Sequence, residues 1–192
     1  MAAGKIRVGK KKWFTVLAPE VFGKNELVEI TAYESNEIVN KPVELNFAQI
    51  SGNPKDQYKK IILKIVSTQG EKALTEPWRF HLQESYVGRT GRRFKEKFHY
   101  VVKTNSKDGK QLVIKIYVMA ERLLHHSARA EMIKILSEKT KTLLATIDGF
   151  DFFRPDIMDN LAADIRKDVR KVYPVDKVFV WKVAVNPGKR TK

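Results

Sequence analysis

FHYVVK (residues 98–103), TNSKDGK (104–110) and QLVIKIYVM (111–119) follow one another: two runs of β-branched and aromatic residues flanking a polar connection centred on Asp108-Gly109. Asp-Gly supplies the positive-φ positions a tight reversal needs, and the flanking runs suit a pleated, half-buried surface, so this stretch reads as a β-hairpin. Working outward, KIILKIV (60–66) reads as a strand, with a turn at 68–71 leading into a second strand over 73–80. VELNFAQI (43–50) alternates with period two, placing Val43, Leu45 and Phe47 on one face before the turn signal SGNP at 51–54. WFTVL (13–17) is a short strand that Ala18-Pro19 stops, because proline cannot donate to a ladder. Residues 20–42 show no clear period, and residues 82–93 read as a helix kept short by Gly88 and Gly91.

Beyond the hairpin the period changes from two to that of a helix. Ser127 reads as an N-cap, and Ala128, Met132, Ile135, Leu136 and Leu143 fall on one face of a helix reaching about Thr142. A second amphipathic helix carries Ile157, Leu161, Ile165, Val169 and Val172 and ends before Tyr173-Pro174. VDKVFVWKVAV (175–185) closes the pattern as a last strand. Strands crowd the first two thirds and helices the last, with hairpin rather than βαβ spacing. The expected fold is therefore α+β: a mainly antiparallel, barrel-like curved sheet with two to three flanking helices. The expected organisation is a basic arm at 1–12, a single domain at 13–185 and a basic tail at 186–192.

The 192 residues include 43% apolar and 10% aromatic side chains, enough to bury a core and unlike a disordered basic tail. Without cysteine there is no disulfide and no thiolate metal site, which suits a reducing compartment. No apolar run is long enough to span a bilayer, and the first twelve residues lack the apolar stretch of a signal peptide, so a cytosolic protein with no membrane partner is expected.

The formal charge is +15 and unevenly spread: residues 25–80 carry −1, whereas 1–24 carry +5, 81–130 carry +7 and 131–192 carry +4. A compact domain gains nothing from such self-repulsion, so a polyanionic partner is implied. Four groups hold the surplus. Lys5, Arg7, Lys10, Lys11 and Lys12 precede Trp13; Arg89, Arg92, Arg93, Lys95 and Lys97 surround two glycines, with Phe94 and Phe98 interleaved; Lys103, Lys107 and Lys110 mark the hairpin tip; Lys189, Arg190 and Lys192 end the chain. Guanidinium groups grip phosphates bidentately and aromatic rings stack on bases, whereas an ordinary solvated face mixes charge signs. Neutralising six to eight phosphates would give a salt slope of about −4 to −6.

Catalytic patterns are thin. His125 and His126 are adjacent, His81 and His99 stand alone, and no histidine has the helical spacing of a metal site. Gly88-Arg-Thr-Gly91 lacks the surroundings of a phosphate-cradling loop. Carboxylates gather only at Asp148, Asp151, Asp156 and Asp159, where helix capping accounts for them; a two-carboxylate RNA-processing site is the enzymatic alternative, and a freestanding RNA-binding translation factor is the non-ribosomal one.

KWFTVLAPEVFG (12–23), KIVSTQGEKAL (64–74), KTNSKDG (103–109) and VYPV (172–175) ahead of the last strand occur in an order and spacing that resembles the S-one-e (S-three-A-e) family, the small-subunit ribosomal protein shared by archaea and eukaryotes. The resemblance spans residues 11–185. It implies a structural, non-catalytic protein of the cytoplasmic ribosome, needing no cofactor or metal, on the platform of the small subunit near the messenger exit. Its implied partners are small-subunit rRNA, neighbouring platform proteins and the messenger at its exit. The arm, residues 89–97 and the segment from Arg122 to Arg129 would face rRNA. Two stretches depart from the family pattern: Glu76-Pro77-Trp78 stands where Asn-Phe is usual, so a turn there must be built differently, and residues 120–129 hold His and Leu where basic residues are expected.

Overall fold

The computed structural model describes residues 10–92, 96–120 and 122–186. Its eight strands are β1 (Lys12–Leu17), β2 (Glu26–Ala32), β3 (Pro42–Asn46), β4 (Lys59–Gln69), β5 (Lys72–Leu82), β6 (Glu96–Asn105), β7 (Gln111–Ala120) and β8 (Val175–Val185). Four helices accompany them: α1 (Phe47–Ser51), α2 (Glu84–Gly91), α3 (His126–Thr146) and α4 (Pro155–Val172). The fold is α+β, as expected.

All strands join one mixed sheet, ordered β2-β1-β5-β8-β7-β6, with β4 and then β3 branching from β5. The branch point is β5. One edge pairs antiparallel with β4. The other is shared: Lys72 and Ala73 pair in parallel with β1, and Arg79, Phe80 and His81 pair antiparallel with β8. Among the described residues no pairing joins β6 to β2 or β3, so the barrel-like expectation gives way to an open, branched sheet.

Two bulges let β5 serve three neighbours. Pairing skips Trp78, between Ile62–Arg79 and Leu63–Pro77, and skips Val66, between Ile65–Thr75 and Ser67–Leu74. An extra residue locally increases twist, and a bulge tolerates the missing N–H of Pro77. Glu76-Pro77-Trp78 is thus strand interior rather than the turn expected there.

Other boundaries moved for local reasons. The strand expected over 43–50 stops at Asn46, whose Oδ1 accepts from the Ala48 amide at 3.2 Å and starts α1; Gly52, at φ +68°, ends it. The helix expected with Ser127 as its N-cap begins two residues earlier, capped by His125 without a side-chain hydrogen bond. In α4, Pro155 occupies the first turn and Asp156 lies at the positive end of the dipole, while no side chain makes a capping hydrogen bond.

Helices α3 and α4 cover one face of β6–β7–β8. Leu112, Ile114, Ile116 and Val118 of β7 point inward against Met132, Leu136 and Leu144 of α3 and Leu161, Ile165 and Val169 of α4. Each fully buried aliphatic contributes about 1.5–3 kcal/mol. A smaller cluster of Phe14, Val16, Ala32, Ile38, Ile65 and Ala73 joins β1, β2, β4 and β5.

Two polar contacts fasten this frame. At the hairpin tip the Gly149 amide donates to Asp108 Oδ1 at 2.9 Å, Lys110 Nζ pairs with Asp108 Oδ2 at 2.9 Å, and the Ser106 hydroxyl donates to the same carboxylate. The Lys107 amide also reaches the Ile147 carbonyl at 3.3 Å, so the tip is docked on the α3–α4 connection. Gly149 permits this approach, since a Cβ there would lie 2.9 Å from Ser106 Oγ and 3.2 Å from Lys110 Cβ. Partial burial opposes the Asp108 charge, but hydrogen bonds from Ser106, Lys110 and the Gly149 amide outweigh it and hold the carboxyl well below the usual range. Elsewhere Lys59, only 5% exposed, bridges Asp56 at 3.0 Å and Asp159 at 2.8 Å, tying β4 to α4. Burial opposes its charge, yet bonds to Asp159 and Asp56 raise its pKa.

Gly149→Ala should destabilise the fold by about 1–3 kcal/mol, because the collision is with a buried, hydrogen-bonded turn; urea unfolding followed by circular dichroism measures it. The folded-state pKa of Asp108 lies below its unfolded value, so its contribution is complete above about pH 4 and lost as pH falls further. The stability difference between wild type and Asp108→Asn should therefore hold steady down to about pH 4 and shrink progressively as pH falls below it, by an amount read from paired melts. Lys59→Met should cost about 3 kcal/mol in the same urea assay, the low end for a broken buried pair: the buried Asp56 carboxylate keeps only its Ser51 hydroxyl partner, whereas Asp159 is mostly exposed and recovers hydration.

Candidate nucleic-acid interface

The sequence-derived basic residues occupy separate parts of the sheet. Lys10 and Lys11 are exposed ahead of β1, Lys12 opens that strand, and Trp13 is 62% exposed while its neighbours Phe14 and Val16 turn inward. Lys11 Nζ lies 5.7 Å from the Tyr33 ring centroid. Lys97 is the second residue of β6, on the other side of β5, β8 and β7 from this arm. Lys5, Arg7, Arg93 and Lys95, with Phe94 and the basic residues of the C-terminal tail, lie outside the described residues.

Some of these cations already have partners. Lys110 is bound to Asp108 and sits 3.3 Å from the Phe150 ring centroid, so its first role is to dock the hairpin. The Arg129 guanidinium lies 4.9 Å from the ring of buried Phe98, closing the core where α3 meets β6. Lys107 and Arg122 are exposed.

The clearest convergence is around α2. Gly88 and Gly91 both lie within the helix. Gly91 is buried, and a Cβ there would come within 3.2 Å of Lys97 Cδ and 3.4 Å of Met119 Cε, so glycine lets the helix end lie close against the start of β6. Helical spacing then puts Tyr86 and Arg89 on one side, with Arg92 following. Tyr86 stacks on Tyr58, at 4.0 Å between centroids and 11° between planes. Arg89, Arg92 and this tyrosine pair line a surface cavity of about 670 Å³ with Asn46, Gln57 and Gln83. Burial pushes the Tyr58 hydroxyl above its ordinary pKa, despite nearby Lys59, so it stays a neutral donor. Two guanidinium groups beside a stacked aromatic pair can hold a phosphate and a nucleobase together.

Sequence reading missed both tyrosines, which lie 28 positions apart and meet only because the β4–β5 hairpin brings Tyr58 under α2. It also missed a second concavity of about 500 Å³ on the open face of the sheet, where Lys60, Arg79, His81, Lys115 and Lys182 come together from four strands. Gln83 lines both cavities. Burial and the charges of Lys182 and Lys60 outweigh Glu44 and lower the His81 pKa, leaving it neutral. Alternation supplied the signal: Lys60, Arg79, His81, Lys115 and Lys182 stand next to inward-facing residues in strands already legible.

The acidic stretch takes structural positions. Asp159 binds Lys59, and no group of three potential metal-ligating side chains converges among the described residues. Among these residues, too, no helix is long and apolar enough to cross a membrane.

The sequence profile of the Ribosomal S3Ae family matches residues 5–187. Curated relatives include proteins named small ribosomal subunit protein eS1. That of Archaeoglobus fulgidus is 30% identical over 175 residues, covering 90% of this chain and 83% of the relative. That of Saccharolobus islandicus is 28% identical over 187 residues, covering 95% and 90%. That of Sulfurisphaera tokodaii is 27% identical over 172 residues, covering 90% and 89%. With a match this long, spanning every strand and helix described above, the chain belongs to the ribosomal S3Ae family.

Proposed function

We propose that this chain is a structural constituent of the small ribosomal subunit, not an enzyme, and that it binds rRNA on the platform near the messenger exit. The observation that carries this reading is the family match over residues 5–187, combined with a +15 charge that family membership accounts for. In this reading the phosphate contacts come from Lys5, Arg7, Lys10, Lys11 and Lys12, from Arg89, Arg92, Arg93, Lys95 and Lys97, and from Lys107, Arg122 and Arg129. Trp13, exposed beside the arm, offers a stacking surface. Lys110 contributes a phosphate contact only while keeping its bond to Asp108. The protein works in the cytoplasm as part of the ribosome, alongside neighbouring platform proteins and the exiting messenger, without cofactor.

The physical role is charge neutralisation with shape. A folded RNA brings phosphates into close apposition, and rigidly placed cations lower that repulsion while releasing counterions. Arg89 and Arg92 suit this role because both are exposed and lack a carboxylate partner among the described residues. Exposed cations cost the fold little when removed.

Sucrose-gradient sedimentation of ribosomal subunits should place the chain with small subunits at moderate salt and release it only after a high-salt wash. Arg89→Ala/Arg92→Ala/Arg93→Ala should weaken that association and flatten its salt slope by about 2, with a melting temperature close to wild type. A chain that stays at the top of the gradient throughout would contradict the reading, and an unchanged slope would move the rRNA contact elsewhere.

A further inference from the structure

The face of the sheet opposite α3 and α4 carries an aromatic ladder that helix packing does not use. Strand alternation directs Ile114, Ile116 and Val118 inward and Val113, Lys115 and Tyr117 outward. On β8 a bulge skips Trp181, between Lys115–Lys182 and Ile116–Val180, so Trp181 and Lys182 both stay on the outer face while Val180 and Val183 enter the core. Tyr117 stacks on Phe179 at 5.5 Å and 9° and meets Trp181 edge-on at 5.7 Å. His99 of β6 extends the row, 5.6 Å from Trp181. The Trp181 Nε1 is buried without a partner among the described residues, so its neighbours rather than a hydrogen bond hold the ring.

Cations surround this ladder. Lys182 Nζ lies 4.5 Å and Lys115 Nζ 5.9 Å from the Trp181 ring centroid, and both line the 500 Å³ concavity with Lys60 and Arg79. The acids that approach are Glu84, paired with Lys182 at 3.1 Å, and Glu44, paired with Lys60 at 2.6 Å. Both are exposed pairs of the kind that exchange readily for a phosphate. Arg79 and Lys115 have no carboxylate partner among the described residues. Cross-strand aromatic pairs stabilise a sheet by themselves, but stability asks for neither a concavity nor cations around it. The ladder lies beside the concavity rather than lining it, and Lys115 and Lys182 reach both; rings that stack bases next to cations that hold phosphates are how a sheet takes single-stranded nucleic acid. A protein partner would need an acidic surface matched to the same groove.

We propose that the open face of β6–β7–β8–β5 binds an unpaired stretch of RNA, with bases stacking on His99, Tyr117, Phe179 and Trp181 and phosphates held by Lys60, Arg79, Lys115 and Lys182. This deepens the ribosomal reading by naming the form of RNA and the surface that takes it. Gln83 joins this groove to the Arg89–Arg92 cavity, so one strand can run from the arginines onto the sheet.

The test is binding of a fluorescein-labelled twelve-residue oligouridylate to the full chain, followed by anisotropy across a potassium chloride series, with ultraviolet crosslinking and mass spectrometry to locate the contact. The nucleotide adduct is expected on residues 113–119 or 178–182. Arg79→Ala/Lys115→Ala should lower affinity about tenfold and reduce the salt slope by about 1.4. Tyr117→Leu, which keeps apolar packing, should weaken binding about tenfold with the slope unchanged. Should Tyr117→Leu fail to fold, the double variant decides, because it alters only the groove's rim. Wild-type affinity in the double variant, or adducts confined to other segments, would overturn the proposal. So would assembled subunits in which Lys115 and Lys182 crosslink to a neighbouring protein while the ladder carries no nucleotide. A chain that sediments with small subunits yet fails the oligouridylate test would leave the ribosomal reading standing and remove only this surface.

Discussion

Strand β5 is the constraint on which the structure depends, because eleven residues must satisfy three neighbouring strands. Its outer edge serves β1 at Lys72 and Ala73 and β8 at Arg79 to His81, and its inner edge serves β4 almost throughout. Without that sharing, the β1–β2 wing with its own small core would have no hydrogen-bonded route to the β6–β7–β8 wing. The bulges at Val66 and Trp78 supply the extra twist, and Pro77 is accommodated where the ladder is already irregular. From this branching follows the functional geometry: helices cover one face of one wing, and the opposite face, with α2 at its border, remains open.

The frame also sorts the charge. Lys59 and Lys110 are held by carboxylates inside the structure, and Arg129 by the Phe98 ring, so these cations serve the fold before any partner. Exposed pairs such as Lys60–Glu44 and Lys182–Glu84 stabilise little and yield easily to phosphate. In the proposed ribosomal role, the surplus on Lys10 to Lys12, α2 and the open sheet would be neutralised by rRNA phosphates.

Elements with a strong single period were legible from sequence. The hairpin over β6 and β7, the strand β8 and the helices α3 and α4 follow from alternation or helical stripes that tertiary contacts reinforce. The α+β class followed from those elements, and the family resemblance from the motifs at 12–23, 64–74, 103–109 and 172–175. Boundaries governed by one side chain were not legible: Val43, Leu45 and Phe47 alternate perfectly well, yet the Asn46 side chain ends the strand. Nor was the open rather than barrel-like sheet, because closure depends on which edges meet and not on any local pattern. The Arg89–Arg92 cluster was visible as charge, while its aromatic companions Tyr58 and Tyr86 were not, since only the fold brings them together. The same holds for Lys60 and Arg79, which lie in the near-neutral stretch 25–80 and become part of a basic groove only when strands from distant parts of the chain align.

The most direct measurement is a density map of the assembled small subunit containing this chain, at a resolution that shows side chains. The account predicts rRNA phosphates against Arg89 and Arg92 and an unpaired RNA segment lying across Tyr117 and Trp181, with α3 and α4 retaining their contact to the sheet. A map in which both surfaces face solvent or protein, and rRNA touches the chain only elsewhere, would contradict it.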